Sequence, residues 1–174
     1  LNNNLTEYIP KSYSYNDYSG KLVIVKPPCG GSSIGMYLSN INDLQPEIFK
    51  NYLVQEYIKE PIEFTGNLVI QDGHILYGFA YYRYYGDRNY IKHDSEDFTV
   101  QNTAPISQKY LDVLEKFLIP IKYTGVCNVD FKLCGSEEKI KVFEINPRLG
   151  GSLFFDNHYH DFATMVLKLI QLNY

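Results

Sequence analysis

The polarity pattern of the chain changes character at Lys21. Residues 1 to 20 are polar and aperiodic, rich in Asn, Ser and Tyr with Pro10 and Gly20, and read as an extended lead-in. Leu22-Val23-Ile24-Val25-Lys26 is then a β-branched run stopped by Pro27-Pro28, which predicts a strand followed by a turn. A Gly/Ser loop, Cys29 to Gly35, leads into a short returning strand at Met36-Tyr37-Leu38, a helix from Asn42 to Tyr52 with Asn42 or Asp43 at its start, and a strand from Leu53 to Tyr57. Glu63 to Gln71 and His74 to Tyr85 predict two strands joined at Asp72-Gly73, a dipeptide suited to the positive φ angles of a hairpin turn. Gly86 to Ala104 is charged, turn-rich and without period, and its length predicts a loop beside a site. Ser107 opens a helix to Leu118, with Leu111, Leu114, Phe117 and Leu118 at helical spacing. Thr124 to Leu133 and Lys139 to Ile145 predict strands linked by the Gly135-Ser136 turn. Asp161 caps a last helix whose Phe162, Met165, Val166, Leu169 and Ile170 share one face. Hairpin-linked strands mixed with helices predict an α+β fold rather than a parallel, doubly wound sheet.

Composition narrows the classes of partner. The 174 residues are 45% hydrophobic and 16% aromatic, enough for an ordinary core in one domain or in two small lobes sharing a cleft. A formal net charge of -4 supplies no basic field for a nucleic-acid backbone, so nucleic acid is not an expected partner. No apolar run of membrane-spanning length and no signal-like N-terminal pattern occurs, and the expectation is a cytoplasmic protein with no membrane partner. Cys29, Cys127 and Cys134 lack CxxC spacing and are odd in number, which argues against a disulfide framework or a zinc site and for reduced thiols. The 17 tyrosines could serve a sugar- or protein-interaction surface, but Tyr is also a common strand and core residue.

The strongest chemical signal is the pair Asn128-Val129-Asp130-Phe131-Lys132 and Val142-Phe143-Glu144-Ile145-Asn146-Pro147-Arg148. Asp130 is flanked by Val129 and Phe131, and Glu144 by Phe143 and Ile145. On adjacent antiparallel strands both carboxylates therefore point to one face, joined by Asn146 two residues on, opposite a hydrophobic face. Two carboxylates and an amide oxygen converging in this way suit a hard cation such as Mg²⁺. The alternative is a pair of solvent-facing acids. The Asn146-Pro147-Arg148-Leu149-Gly150-Gly151-Ser152 stretch weighs against it, because it adds a cation and a flexible backbone beside the acids.

A second signal is Lys26 followed by Pro27 to Gly35. Glycines and small hydroxyls let backbone N–H groups approach phosphates, and Lys26 adds a charge, although the segment is neither a P-loop nor GxGxxG. A third is Gln55-Glu56-Tyr57-Ile58 followed by Glu63, an extended segment able to offer backbone groups to adenine and a carboxylate to ribose. His158 and His160 lack zinc spacing, no Gly-x-Ser-x-Gly elbow exists, and Cys29 has no evident His partner, so neither a second metal site nor covalent catalysis is expected.

VIVKPPCGGSSIG, QEYIKEPIEF, a hairpin, NVDFK and FEINPRLGGS follow in an order that resembles the ATP-grasp superfamily over about residues 8 to 170. The chain is most similar to its carboxylate-amine ligases and carbamoyl-phosphate-synthase-like members. The resemblance implies two α+β lobes whose antiparallel sheets enclose a nucleotide cleft: residues 21–56 as the smaller lobe with its flap, residues 57–174 as the larger, and 1–20 as lead-in. It implies that Lys26 holds ATP phosphates under a flap containing Gly30, Gly31, Ser32 and Ser33. Gln55, Glu56, Tyr57 and Ile58 would read adenine and Glu63 the ribose. Asp130, Glu144 and Asn146 would bind two Mg²⁺ ions, replaceable by Mn²⁺, with Glu144 bridging, and Arg148 would face the transferred phosphoryl group or the substrate carboxylate. Arg83, Arg88 and Lys92 are weaker candidates for phosphate or substrate. The implied activity is ADP-forming joining of a carboxylate, activated as an acylphosphate, to an amine. A nucleotide-binding regulatory module and a carbamoyl-phosphate-synthase-like subunit are the alternatives. Two departures bear on this. Asn128 stands where D-alanine:D-alanine ligases carry an arginine, against that activity. Only 25 residues precede Lys26, so an N-terminal portion bearing a further lysine is expected to have been removed or to come from a separate chain, and whether this fragment alone is active or inactive stays open.

Overall fold

The first strand, β1 (Leu22–Lys26), alternates fully buried Val23 and Val25 with half-buried Leu22, Ile24 and Lys26, so one face joins a core while the other is left for a cleft. The computed structural model of the chain describes residues 5–17, 20–29, 33–86, 91, 99–154 and 159–172. β1 is the centre of a three-stranded antiparallel sheet, flanked by β2 (Tyr37–Asn40) and β3 (Leu53–Glu56), with Val23 opposite both Ser39 and Glu56. Val23, Val25, Ile41 and Val54 form its core, with Leu44, Ile48 and Phe49 packed against them.

The single helix expected from Asn42 to Tyr52 is instead two pieces. A 3-10 turn, Ile41–Asp43, is capped by Asn40, whose side-chain oxygen accepts from the Asn42 amide at 2.9 Å. The α-helix α1 (Pro46–Asn51) then starts at Pro46. Proline has no N–H to bond to the preceding turn and drives the residue before it into extended geometry, as at Gln45 (φ -73, ψ 151), so the helix restarts there.

A second antiparallel sheet carries five strands in the order β6-β5-β4-β7-β8. β4 (Ile62–Gln71) and β5 (His74–Tyr84) form the expected hairpin, with Asp72 and Gly73 at φ 51 and 89. β7 (Gly125–Cys134) and β8 (Lys139–Asn146) form the other, turning near Gly135 at φ 68. β6 (Thr99–Pro105) corrects the expectation of a loop through Ala104. Its backbone pairs with β5, Tyr84 opposite Thr99 and Ala80 opposite Ala104, because the β-branched Thr99, Val100 and Thr103 carry strand character that the charges before them masked. The expected loop at residues 87–90 and 92–98 lies outside the described residues.

Helix α2 (Gln108–Leu118) covers one face of the large sheet. Its Tyr110, Leu114 and Leu118 join Leu68, Ile70, Val129, Phe131, Ile140 and Val142 in the main core. The opposite face is divided. At one end it is apolar, with Val69, Phe79 and Leu153 packed around Met165 of α3 (Tyr159–Leu172). At the other end it is polar, because β4 and β7 put Thr65, Asn67, Asn128, Asp130 and Lys132 there. α3 begins two residues before Asp161, which lies inside the first turn rather than at the cap, and Ile170 is 50% exposed, so the expected apolar face is narrower than five residues. Among the described residues no helix is long and apolar enough to cross a membrane.

The lead-in is tied down more firmly than its composition indicates. Ser12 bridges Gln55, the Tyr13 amide donates to the Val54 carbonyl at 2.9 Å, and the Glu56 amide donates to the Lys11 carbonyl at 2.8 Å. Residues 11 to 13 thus run along the free edge of β3.

The β4–β5 turn is pressed against the segment after α2. A Cβ on Gly73 would lie 2.3 Å from the Ile119 Cα, and its φ of 89 is already outside the range that L side chains adopt comfortably. Gly73→Ala should therefore lower stability by roughly 2 kcal/mol or more, read as the shift of a denaturant midpoint at unchanged m-value. An unchanged midpoint would show that this contact does not constrain the turn.

Candidate functional site

Between the two sheets lies a cavity of about 370 Å³. Its floor is the polar end of the large sheet. Asn128, Asp130 and Lys132 alternate along β7 with Val129 and Phe131, so the polar residues face the cavity and the apolar ones face α2. On β8, Glu144 lies opposite Asp130 and Asn146 opposite Asn128. The sequence expectation of two carboxylates and an amide on one face agrees with this register.

The register slips between Asp130 and Phe131, since Phe131 pairs with Val142 and leaves Phe143 without a partner across the ladder. Such a bulge locally breaks the alternation, and here it brings both Phe143 and Glu144 to the cavity wall. Phe143, expected as an apolar flank on the opposite face, is therefore a cavity residue. Its ring lies 5.8 Å from the Lys26 ammonium.

Asp130 is 7% exposed and accepts a hydrogen bond from Thr65 Oγ1 at 2.7 Å. Glu144 is exposed, and its Oε1 accepts from Asn146 Nδ2 at 2.8 Å. Lys26 reaches this pair from the small sheet. Burial pushes its ammonium below the usual lysine range, opposed by the negative charges of Glu144 and Glu63. Arg148 is exposed at the mouth and donates to the Leu149 carbonyl at 3.2 Å. Asp130, Glu144 and Asn146 together offer only oxygen donors suited to a hard cation; no cluster of three or more His, Cys, Asp and Glu occurs among the described residues, so water or phosphate oxygens would have to complete a coordination shell.

At the far end of the cavity, Glu56, Tyr57 and Ile58 leave β3 and cross to Glu63 on β4, and all four line it. The Glu56 carboxylate also accepts from the Lys11 amide at 3.3 Å, so part of its capacity is spent on the lead-in. Gln55 departs from expectation. It is 9% exposed, its Nε2 points to Ser12 Oγ at 3.5 Å, and it is not part of the cavity wall, because alternation on β3 turns it away from Glu56. Ser33 lines the cavity with φ 59, while Gly30, Gly31 and Ser32 lie outside the described residues. Arg83 lines the cavity; Arg88 and Lys92 also lie outside.

The roles of three polar residues in or beneath the floor escaped the sequence reading. Asn67 is fully buried, and its Oδ1 accepts from Asn128 Nδ2 at 3.4 Å and from the Gly150 amide at 3.3 Å, tying the segment after β8 to the sheet. Thr65 holds Asp130, and Lys132 donates to the Ile58 carbonyl at 3.0 Å. The available signal was the alternation Thr65-Gly66-Asn67-Leu68 in an otherwise apolar strand, where polar residues at a spacing of two mark a wet patch on one face.

The thiols take no visible part. Burial pushes Cys127 and Cys134 up to about 12, leaving both neutral near pH 7. His160 is exposed on α3, and His158 lies outside the described residues.

Gly150 tests the tie beneath the floor. A Cβ there would lie 2.7 Å from Asn128 Nδ2 and 2.8 Å from Asn67 Oδ1. Gly150→Ala should break this junction and lower stability by about 1–3 kcal/mol, measurable by chemical denaturation. Retained stability would show that the two amides can repack freely.

No protein-family description and no curated protein matches the chain. Solved structures do. The macrocyclase MdnC bound with precursor peptide MdnA, from Microcystis aeruginosa MRC, superposes with a TM-score of 0.61 at 15% identity, covering 98% of this chain and 57% of that one. The ATP-grasp ligase PsnB, complexed with minimal precursor, Mg and ADP, gives 0.58 at 15% identity, covering 91% and 53%. The L-amino acid ligase from Bacillus licheniformis gives 0.54 at 16% identity, covering 87% and 38%. The chain thus spans between 38% and 57% of the length of these three relatives in structure.

Proposed function

We propose that this chain, which has the ATP-grasp fold, is the nucleotide-binding and catalytic core of an ADP-forming ligase that joins a carboxylate to an amine. The observation that carries the reading is the Asp130–Glu144 pair, set opposite each other on β7 and β8 with Lys26 brought to them by the other sheet. The ligases it resembles in fold, one of them complexed with Mg and ADP, support the same reaction class.

In this reading the smaller lobe is residues 21–56 and the larger 57–174. Tyr57 and Ile58 present backbone groups to adenine, Glu56 adds its remaining acceptor capacity, Glu63 takes the ribose hydroxyls, and Phe143 walls the cleft beside Lys26. Lys26 and the flap around Ser33 hold phosphate oxygens, with Gly30, Gly31 and Ser32 assigned to the same flap from their place in the sequence. Asp130, Glu144 and Asn146 would hold Mg²⁺, with Glu144 assigned from the resemblance as the ligand common to two ions. When bound, the metal would supply charge neutralisation between phosphates.

The reaction transfers the γ-phosphoryl group of ATP to a carboxylate oxygen, releasing ADP. The amine nitrogen then attacks the acyl carbon, phosphate leaves, and the amine gives up a proton. Lys26 and Arg148 contribute by orienting the reactants and by opposing the negative charge that accumulates during transfer, so no side chain need form a covalent bond. Neutral Cys127 and Cys134 accord with that. Asn128, uncharged and held by Gly66 and Asn67, provides no cation beside the acyl carbon, and among the described residues Arg148, with Arg83 as the weaker candidate, lines the cavity to supply one.

The protein carrying this chain should release ADP and phosphate when offered ATP, Mg²⁺ and a matching carboxylate and amine. AMP and pyrophosphate in their place would refute the ligase class, and Mg-nucleotide binding without turnover across a broad panel would make the chain a binding module. Glu144→Gln keeps the shape and removes one charge facing the metal. It should preserve the fold and reduce kcat and kcat/KM by at least about 100-fold, a loss no smaller than that caused by disturbing a metal's outer shell. Asp112→Asn, on α2, where Asp112 accepts from Gln108 at 2.8 Å, should leave turnover unchanged.

A further inference from the structure

β7 delivers three polar side chains to the cavity, and the proposed chemistry uses only the region of the first two. Lys132 is left over. It is 6% exposed, its Nζ donates to the Ile58 carbonyl at 3.0 Å, and it lies 5.8 Å from the centre of the Tyr57 ring. An apolar side chain would fill this strand position without desolvating a charge, so a buried ammonium here calls for a reason. An ammonium has three donors, and among the described residues one is taken, by a neutral carbonyl. Lys132 also lines the cavity, where the negative charges of Glu63 and Glu60 oppose the lowering that burial imposes on its ammonium, so an occupant of that space can supply a further acceptor to its remaining donors.

Its position identifies which part of a ligand that is. Two residues along a strand span roughly 7 Å, so Lys132 lies about that far from Asp130. Its contacts with Tyr57 and Ile58 set the direction, toward the segment that leaves β3 and away from Asn128 and Arg148. In the small sheet, Lys26 lies opposite Leu53 whereas Glu56 lies opposite Val23, three residues further along β1. Lys26 faces Glu144 and Glu63 whereas Lys132 faces Glu63 and Glu60, so Lys132 is the one displaced from Glu144 toward the segment that leaves β3. Its bond to Ile58 has a further effect: it takes one of the two lone pairs of that carbonyl and fixes the orientation of the peptide.

Taking the cavity to be the nucleotide site proposed above, we infer that Lys132 is a specificity-determining residue that donates a hydrogen bond to an acceptor on the nucleoside half of the ligand, a ring nitrogen of the base or a ribose oxygen, while fixing the Ile58 peptide. The wall residue that recognises the nucleoside is thus a charged donor as well as the usual backbone edge.

The test is calorimetric titration of the chain with ADP, with its 1-deaza, 3-deaza, 7-deaza, 2′-deoxy and 3′-deoxy analogues, and with tripolyphosphate, all in Mg²⁺, for the wild type and Lys132→Met. One analogue should bind the wild type at least about 10-fold more weakly than ADP, the scale of a lost hydrogen bond to a charged donor. That analogue and ADP should bind Lys132→Met equally, ADP itself having lost a similar factor, while tripolyphosphate binds both proteins alike. A lysine that only props the hinge would lower all nucleosides together and leave the analogue penalty in the variant. That result would overturn the inference, as would a wild type indifferent to every analogue. Because the Tyr57–Ile58 backbone and Glu63 can give the wild type analogue penalties of their own, the decision rests on whether one penalty disappears in Lys132→Met; should that variant not fold, Lys132→Leu takes its place in the same comparison. A wild type that binds neither ADP nor tripolyphosphate would instead refute the nucleotide-site reading on which the inference rests.

Discussion

Two carboxylates facing each other across one ladder position repel, and the architecture around Asp130 and Glu144 is arranged to hold them there. Within the large sheet the compensation is local. Thr65 donates to Asp130 and Asn146 donates to Glu144, each removing part of the cost of crowding negative charge. Neither bond supplies a positive charge. One positive charge comes from Lys26, on a different sheet, whose ammonium burial pushes below the usual lysine range while the negative charges of Glu144 and Glu63 oppose that shift. The pair therefore connects the two sheets: Lys26 of β1 adds its positive charge to a cavity that Arg83, Lys132 and Arg148 also line.

The same requirement explains the uneven face opposite α2. A sheet face covered by a helix from end to end would leave no room for charge, whereas a bare face would expose Val69 and Phe79. α3 covers only the apolar end, and the polar end remains open to the cleft. The contact between the two sheets is reinforced from the N-terminal side. Lys116 of α2 donates to the Tyr8 hydroxyl and Lys141 of β8 to the Ile9 carbonyl, while Lys11 and Tyr13 bond to β3 of the three-stranded sheet. The lead-in thus touches elements of both sheets within a few residues, which gives a segment without any hydrophobic period a definite structural task.

Much of this was legible in the sequence where a local rule operates alone. The Asp72-Gly73 turn, the antiparallel β7–β8 hairpin and the α+β class all follow from turn chemistry and a period of two, and the ATP-grasp fold suggested by the motif order agrees with the solved structures the chain resembles; that Glu144 falls directly opposite Asp130 depends on the bulge. What escaped depends on non-local facts. Phe143 reaches the cavity because of a bulge, and a one-residue slip in pairing leaves no mark in composition. Gln55 looked like a ligand residue by adjacency to Glu56, yet strand alternation turns it toward Ser12. Thr65, Asn67 and Lys132 are polar residues whose partners lie tens of residues away, so only the folded sheet shows what they hold. The helix broken at Pro46 is a different matter, since proline's missing N–H was visible and outweighed the helical character of the residues around it.

The central claim is that the cavity binds a nucleotide through a metal held by Asp130 and Glu144, and thermal melting of the chain tests it most directly. Ligand binding to the folded state raises the melting temperature by mass action, with about 2.7 kcal/mol of stabilisation at a hundredfold excess over Kd. ADP with Mg²⁺ should raise the Tm, and replacing Mg²⁺ by a chelator should remove most of that rise. No shift with ADP and Mg²⁺, or a shift of the same size in chelator, would contradict the account.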